Sequence, residues 1–168
     1  AIDSVPLVRT RLEGNRAWRG GALAVNSTDI LSSTVQRNRA FEGGVLVTNG
    51  SGAISFRNST VNDNEAYRGG VAILSEDGFS MINSTVSGNI AQAGAGGIAV
   101  NTAGGRLYLY NSTIAGNTAD AANTGGNGGG LNIQAGSVVS MTNSVLANNV
   151  DLGASGDSPD CFGTIHLV

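Results

Sequence analysis

The sequence of 168 residues contains no lysine, one cysteine and two prolines, and aromatic residues make up only 5% of it. All nine basic residues are arginines, eight of them lie before residue 70, and the formal net charge is −3. Nucleic-acid binding needs clustered positive charge, so we expect no nucleic-acid partner. The single cysteine, Cys161, excludes an internal disulfide framework and a cysteine zinc cluster. We expect no cofactor.

Long apolar stretches are also missing, because no run approaches the roughly 20 residues that span a bilayer. The sequence therefore predicts no transmembrane segment. Charged residues account for 12% of the chain and hydrophobic residues for 40%, whereas charged residues make up about 25% of ordinary soluble domains. This length and composition predict one domain, residues 1–168, with a hydrophobic core. The 26 glycines follow no collagen period, which excludes a triple helix.

An internal repeat is the strongest positive signal. Residues 58–64 read NSTVNDN, residues 83–89 NSTVSGN and residues 111–117 NSTIAGN. Degenerate copies occupy residues 9–15, 32–38 and 143–149. Successive closing asparagines are 23, 26, 25, 28 and 32 residues apart. A Gly-Gly pair and a short apolar stretch follow five of the copies, and most of the length variation precedes that pair. A solenoid with one expandable turn shows this pattern.

The repeat units have the period of strands. Apolar residues alternate with polar ones, as in Ile54 and Phe56 on either side of Ser55, and β-branched residues are abundant. Helical repeats would show a period of 3.6 residues, and a hexapeptide β-helix would need spacings that are multiples of six. Coils of about 23–26 residues with three short strands each predict an all-β fold, a right-handed parallel β-helix of about six coils.

Stacking such coils about 4.8 Å apart places equivalent residues in columns. Asparagine has both an amide donor and a carbonyl acceptor, so a column of asparagines predicts a hydrogen-bonded ladder. Two such ladders are expected, and asparagine also tolerates the left-handed conformation of a tight corner. One contains Asn58, Asn83, Asn111 and Asn143, and the other contains Asn15, Asn38, Asn64, Asn89, Asn117 and Asn149. The glycine pairs are expected at another corner, where a Cβ does not fit.

These motifs resemble the β-helix repeats of bacterial surface and secreted proteins, in particular the choice-of-anchor Q domain family with its NSTISGNTA and GGGI strings. The resemblance runs from about Ser32 to Val168 and is sharpest between Asn111 and Leu131. The closing segment around Asp160-Cys161 is similar to an Asp-Cys-x-Gly motif of such repeats, although no partner cysteine is present here. The resemblance implies an exported, envelope-associated protein and names no reaction.

An aromatic column is the most prominent candidate binding feature. Trp18, Phe41 and Tyr67 each follow an alanine and precede a glycine pair by two residues, so they should stack in three successive coils. Two interpretations stay open. The rings either form a platform for sugar rings or a partner chain, or they stack on one another to stabilise the corner.

Beside the aromatic column, Arg19, Glu42 and Arg68 occupy equivalent positions with alternating charge. Ion pairs between coils are expected here, each contributing about 0–1 kcal/mol if exposed. Arg19 and Arg68 are also candidate ligand-binding residues next to the rings.

Carboxylates suggest two further possibilities, a cation site and polysaccharide cleavage. The candidates for a cation site are Asp151, Asp157 and Asp160 in the final loop. Asp63, Glu65, Glu76 and Asp77 fall near one coil but have no matching partners in the next coil. His166 has no evident catalytic partners. The pattern therefore favours a protein that is not an enzyme.

Five Asn-x-Ser/Thr sequons occur, and those at Asn58, Asn83 and Asn111 belong to an expected ladder. We expect these three to be buried or packed, and so structural, whereas Asn26 and Asn49 lie on turns and remain possible glycan acceptors. The Gly/Asn/Ala-rich segment 119–130 is expected to form a surface loop, where binding features tend to lie.

The open ends of a β-helix expose hydrogen-bonding edges that need covering. The chain is therefore expected to be part of a longer protein or to stack end to end with other subunits. The leading prediction is a non-enzymatic structural or adhesive scaffold, extracellular or in the cell envelope, with polysaccharide as a possible ligand. A carbohydrate-active lyase or hydrolase, and an accessory subunit of a larger complex, are the alternatives.

Overall fold

The computed structural model describes residues 6–47, 52–69, 72–74, 78–101, 103–123, 125, 127–153 and 158–167. Within these ranges all regular secondary structure is strand, and every pairing between strands is parallel. The predicted all-β fold of stacked parallel strands is confirmed.

The described strands are grouped here into six rungs of four, followed by one further strand. Rung 1 contains β1 (Leu7–Val8), β2 (Arg11–Glu13), β3 (Arg16–Arg19) and β4 (Leu23–Ala24). Rung 2 contains β5 (Thr28–Leu31), β6 (Thr34–Gln36), β7 (Arg39–Glu42) and β8 (Leu46–Val47). Rung 3 contains β9 (Ile54–Arg57), β10 (Thr60–Asn62), β11 (Glu65–Arg68) and β12 (Ala72–Leu74).

The second half of the chain repeats this order. Rung 4 contains β13 (Phe79–Ile82), β14 (Thr85–Ser87), β15 (Ile90–Ala93) and β16 (Ile98–Val100). Rung 5 contains β17 (Arg106–Tyr110), β18 (Thr113–Ala115), β19 (Thr118–Ala119) and β20 (Leu131–Ile133). Rung 6 contains β21 (Val138–Thr142), β22 (Val145–Ala147), β23 (Val150–Asp151) and β24 (Cys161–Phe162), and β25 (His166–Leu167) follows it.

Equivalent strands of successive rungs form four parallel sheets along the solenoid. Sheet A joins β1, β5, β9, β13, β17, β21 and β25, and sheets B, C and D join the second, third and fourth strands of the rungs. The solenoid has about five turns, slightly fewer than the predicted six coils. The expectation of three strands per coil is wrong, because a residue with positive φ separates the stretch before each closing asparagine into two strands.

Three corners of each turn differ from one another in backbone conformation. Between sheets A and B the corner residue has a positive φ, for example 51° at Asn58 and 48° at Asn111. Between sheets B and C the positive φ belongs to the residue before the closing asparagine, such as Asp63 at 56°. The glycine pair forms the corner between sheets C and D: Gly20 has a φ of 59°, and a Cβ on Gly21 would lie 2.2 Å from the carbonyl oxygen of Gly44.

Apolar side chains of sheets A, B and D fill the interior in register. Ile30, Phe56, Met81 and Leu109 follow one another along sheet A and are at most 1% exposed. Sheet C contributes a column of small alanines instead. Its members are Ala17, Ala40, Ala66, Ala91 and Ala119.

Candidate functional site

A continuous asparagine ladder runs through the interior beside the corner between sheets B and C. In each rung the backbone N–H and the Nδ2 of the closing asparagine both donate to Oδ1 of the asparagine in the next rung. For Asn64 and Asn89 these distances are 3.0 and 2.9 Å. The ladder passes through Asn15, Asn38, Asn64, Asn89, Asn117 and Asn149. One of the two predicted ladders is therefore confirmed.

The second amide hydrogen of these asparagines is also used. Nδ2 of Asn89 donates to the carbonyl oxygen of Val61 at 3.2 Å, and Nδ2 of Asn117 donates to that of Val86 at 3.1 Å. Asn38, Asn64, Asn89 and Asn117 are at most 1% exposed. Each of these buried amides thus uses both donors and its acceptor, which removes the penalty of burying a polar group.

The ladder ends on a carboxylate. Oδ1 of Asp160 accepts from the backbone N–H of Asn149 at 3.1 Å and from its Nδ2 at 2.9 Å. Asp160 lies 11 residues after Asn149, at the position of the glycine corner, so its side chain takes the place that a further asparagine would occupy. The last donors of the ladder are therefore satisfied within the chain.

The other asparagine column has a different structure from the one predicted. Asn58, Asn83, Asn111 and Asn143 are the left-handed corner residues, and all four are exposed. Nδ2 of Asn83 donates to Oδ1 of Asn58 at 3.2 Å. The expectation that these sequon asparagines are buried is wrong, because a residue with positive φ at this corner turns its side chain to solvent. Asn26 is exposed as well, and Asn49 lies outside the described residues.

A buried serine ladder lies next to this corner, and the sequence analysis missed it. The backbone N–H of Ser59 donates to Oγ of Ser84 at 3.1 Å, and that of Ser84 donates to Oγ of Ser112 at 3.3 Å. The same bonds link Thr10 to Ser33, Ser33 to Ser59, and Ser112 to Ser144. The signal was present, because serine is the second residue of all the repeat copies except that at residues 9–15.

The three aromatic residues stack as predicted. The ring centroids of Trp18 and Phe41 are 4.4 Å apart and those of Phe41 and Tyr67 are 4.9 Å apart, each pair within 10° of parallel. Both faces of Phe41 are therefore covered by its neighbours. Trp18 and Tyr67 lie at the two ends of the stack and are 69% and 39% exposed.

A shallow groove of about 420 Å³ follows the side of this stack across the first four rungs. Phe41 and Tyr67 contribute to it, together with the alanines beside them, and Arg16, Arg39 and Glu65 also line it. Glu65 pairs with Arg39, with Oε2 and Nε 2.9 Å apart. The groove thus combines aromatic side chains with charged groups and extends along the direction in which the rungs stack.

The predicted charge column forms in part. Arg19 and Glu42 make an ion pair with Nε and Oε2 2.8 Å apart. Within the described part of the chain no ion pair involves Arg68, whose neighbour in the next rung is Ala93.

In rung 1, Glu13 contacts Arg11 and Arg37. Its slight desolvation raises the pKa of Glu13, but hydrogen bonds from Gln36, Arg11 and Arg37 lower the pKa below its ordinary value overall.

The carboxylates proposed for a cation site are engaged in hydrogen bonds. Oδ1 of Asp151 accepts from the N–H of Gly153 at 3.0 Å, and its Oδ2 accepts from that of Ser158 at 3.3 Å. Asp160 ends the ladder, and Asp157 lies outside the described residues. Among the residues that the structure describes, no three acidic, histidine or cysteine side chains form a group suited to a metal. Burial, and secondarily the charge of Asp160, raises the pKa of the Cys161 thiol.

Two of the remaining carboxylates lie in a cleft. Asp63 and Glu65 line a space of about 520 Å³ together with Arg16, Arg37 and Arg39. Glu76 and Asp77 lie outside the described residues, and the backbone of His166 belongs to β25, which pairs with β21 in sheet A. The structure thus brings two of the four suspected carboxylates together, on a surface rich in arginine.

Comparison with family models, curated proteins and solved structures gave no match to this chain. The parallel β-solenoid and its asparagine ladder consequently rest on the structure alone. In the described ranges there is no helix with the length and apolar character needed to cross a bilayer.

Proposed function

We propose that the chain is a non-enzymatic structural and adhesive scaffold of the extracellular space or cell envelope, related to the choice-of-anchor Q proteins that it resembles. In this role the solenoid is a stiff support, and the groove beside Phe41 and Tyr67 holds an extended polysaccharide. The proposal concerns the first rungs, where aromatic and charged side chains lie together.

The groove beside the aromatic stack carries this proposal. It runs across successive rungs, so it suits a chain-like ligand better than a compact one. Aromatic rings and alanine methyl groups offer apolar contact to the C–H groups of sugars, while Arg16, Arg39 and Glu65 offer hydrogen bonds to hydroxyls.

Further support comes from the use made of the repeated residues. The asparagines and serines of the ladders, the glycine corners and the inward apolar columns all contribute to stacking one rung on the next. A chain that uses its repeated residues in this way is well suited to a mechanical role, with recognition left to the outward-facing side chains.

Binding to a panel of immobilised neutral and acidic polysaccharides tests the proposal. Tyr67→Ala removes part of the groove wall and should weaken binding about fivefold. Tyr110→Ala is the matched control, since Tyr110 is 41% exposed against 39% for Tyr67 and does not line the groove. Equal binding by both variants would place the interaction elsewhere, and no binding by the unaltered protein would refute adhesion through this groove.

The cleft with Asp63 and Glu65 supports a second candidate, a carbohydrate-active enzyme, because such enzymes use paired carboxylates beside basic residues. Release of reducing ends or of unsaturated uronate products from the same polysaccharides measures this directly. Activity that disappears in Asp63→Asn would establish the enzyme and overturn the non-enzymatic proposal.

A further inference from the structure

A second cavity lies one corner away from the groove, where the row of large side chains on sheet C ends. Arg68 is the last large residue of its column, because its neighbour in rung 4 is Ala93. Small residues continue there through Gly94 and Ala95, and the cavity that they leave has a volume of about 240 Å³. Ala99, an outward-facing residue of β16, also lines it and is only 2% exposed.

Part of the cavity wall comes from the expandable connection between β19 and the glycine pair of rung 5. Gly125 and Asn127 of this connection line the cavity. The turn is held in place at its start: Oδ2 of Asp120 accepts from the N–H of Gly125 at 2.9 Å, and the N–H of Asn123 donates to the carbonyl oxygen of Asp120 at 2.8 Å. Asp120 itself is fully buried, so the position of this wall is fixed from inside.

Four residues whose polar side chains the fold does not use line this cavity. They are Arg68, Asn101, Asn127 and Asn132. In the part of the chain that the structure describes, none of these four side chains takes part in a hydrogen bond or ion pair with the protein. This contrasts with the ladder asparagines, whose amides are fully bonded.

The chemistry of the lining selects a ligand class. A guanidinium binds a carboxylate through two parallel hydrogen bonds, and one arginine without other cations balances a single negative charge. Three amides supply both donors and acceptors for hydroxyl groups, and the alanine floor suits the C–H face of a ring. No aspartate or glutamate is among the described lining residues, so the ammonium group of an amino acid would have no anionic partner.

We propose that this cavity binds one sugar-acid residue, a pyranose ring bearing a carboxylate, with the carboxylate on Arg68 and the hydroxyls on Asn101, Asn127 and Asn132. The volume suits one ring, since sites for larger ligands have volumes of about 300–1,000 Å³. The proposal goes beyond polysaccharide adhesion along the groove, because it assigns a separate site with a defined charge requirement.

Titration of the ¹⁵N-labelled protein with methyl β-D-glucuronide, followed by NMR, tests this site. The side-chain amide signals of Asn101, Asn127 and Asn132 should shift together, with a Kd on the order of 1 mM for a ligand of this size. Arg68→Gln should weaken binding about tenfold, since it removes a charge-assisted pair. Arg57→Gln, which alters another exposed arginine outside the cavity, should leave the affinity unchanged.

Two smaller probes separate the parts of the proposal. Methyl β-D-glucoside has the ring without the carboxylate, and sodium acetate has the carboxylate without the ring, so both should bind at least about tenfold more weakly than the glucuronide. Equal shifts with either probe, or equal affinity in Arg68→Gln, would overturn the assignment. Tyr67→Ala should bind the glucuronide normally, which distinguishes failure of this site from failure of the groove.

Discussion

Each buried asparagine of the ladder links its rung to the next one through side-chain hydrogen bonds. Asparagine suits this position because one side chain provides an acceptor for two donors of the previous rung and two donors of its own. Neither a hydroxyl nor a carboxylate offers that set in the middle of a ladder. At the last rung only an acceptor is needed, and there Asp160 takes the position.

Asn89→Ala tests how much one ladder residue contributes to the free energy of unfolding. The change leaves the backbone N–H and Nδ2 of Asn64 without their acceptor and opens a small void in a fully buried position. We expect a loss of about 3 kcal/mol in the free energy of unfolding, measured by urea denaturation.

Asn83→Gly is the control for that change, because Asn83 is an exposed corner residue with a φ of 50° that glycine adopts without strain. Its stability should stay within about 0.5 kcal/mol of the unaltered protein. Equal destabilisation by the two substitutions would contradict the assignment of the two asparagine columns.

Asp160 allows a sharper comparison at the end of the ladder. Asp160→Asn keeps an Oδ1 acceptor of the kind that every other rung uses, so stability should change by less than about 0.5 kcal/mol. Asp160→Ala leaves two donors of Asn149 unsatisfied and should cost about 1–2 kcal/mol. Thermal denaturation of the two variants measures the difference, and equal losses would show that Asp160 does not cap the ladder.

At the scale of the elements, the corners decide how the short strands meet. The three corners between sheets A and D are formed by different residues. The first has an exposed residue with positive φ, the second has a residue with positive φ before a buried asparagine, and the third has a glycine pair. The glycine pair is required by the closeness of neighbouring rungs as well as by backbone conformation, as the 2.4 Å between a Cβ on Gly97 and the carbonyl oxygen of Gly130 indicates.

Gly97→Ala should therefore be far more damaging than an alanine at another turn. The new methyl group would meet backbone of the next rung, which has no flexible side chain to move aside. We expect a loss of more than about 3 kcal/mol or failure to fold. Gly104→Ala meets no atom within 4 Å and adds only the strain of a φ of 88°, about 1 kcal/mol. Similar losses for both, in chemical denaturation, would contradict the close approach of rungs at the glycine corner.

The sequence predicted the elements that repeat and missed those that depend on side-chain direction. Alternation and spacing were sufficient for the parallel solenoid, the glycine corner and the stacking of Trp18 on Phe41. The fourth strand per rung was missed because its boundary is a backbone dihedral, the positive φ of residues such as Asn58. The exposure of Asn58 and Asn83 was missed for the same reason, since equal spacing does not say which column faces inward.

The candidate sites were predictable to different degrees. The aromatic stack follows from equal positions in three repeat copies, so its residues were identified in advance. The wall of the cavity beside Arg68 includes Gly125 and Asn127 from a connection of irregular length, and no periodic pattern in the sequence predicts where that connection lies. Asn101, Asn127 and Asn132 come together only in three dimensions.

At the scale of the whole molecule, the two ends of the solenoid present different surfaces. Rungs 1–3 carry eight of the nine arginines and the aromatic stack. Outward positions of rung 6 are apolar: Val145, Val150, Leu152 and Phe162 are between 43% and 53% exposed. Arginine and aromatic side chains are therefore concentrated in the first three rungs, whereas the last rung presents apolar side chains to solvent.

Unfolding should begin at an end, because each rung contacts only its neighbours. Among the described residues, rung 1 pairs only with rung 2, and all of β3 is exposed. Trp18 is the only tryptophan, so its fluorescence reports on this rung. We expect the fluorescence transition at a lower urea concentration than the far-UV circular dichroism transition. Coincident curves would indicate that all rungs unfold as one unit.

A fully bonded asparagine ladder inside the parallel solenoid holds the rungs together. Hydrogen exchange of asparagine side-chain amides, measured by NMR, tests it most directly. We expect slow exchange for Asn38, Asn64, Asn89 and Asn117, and fast exchange for Asn58, Asn83, Asn111 and Asn143. Equally fast exchange in both sets would contradict it.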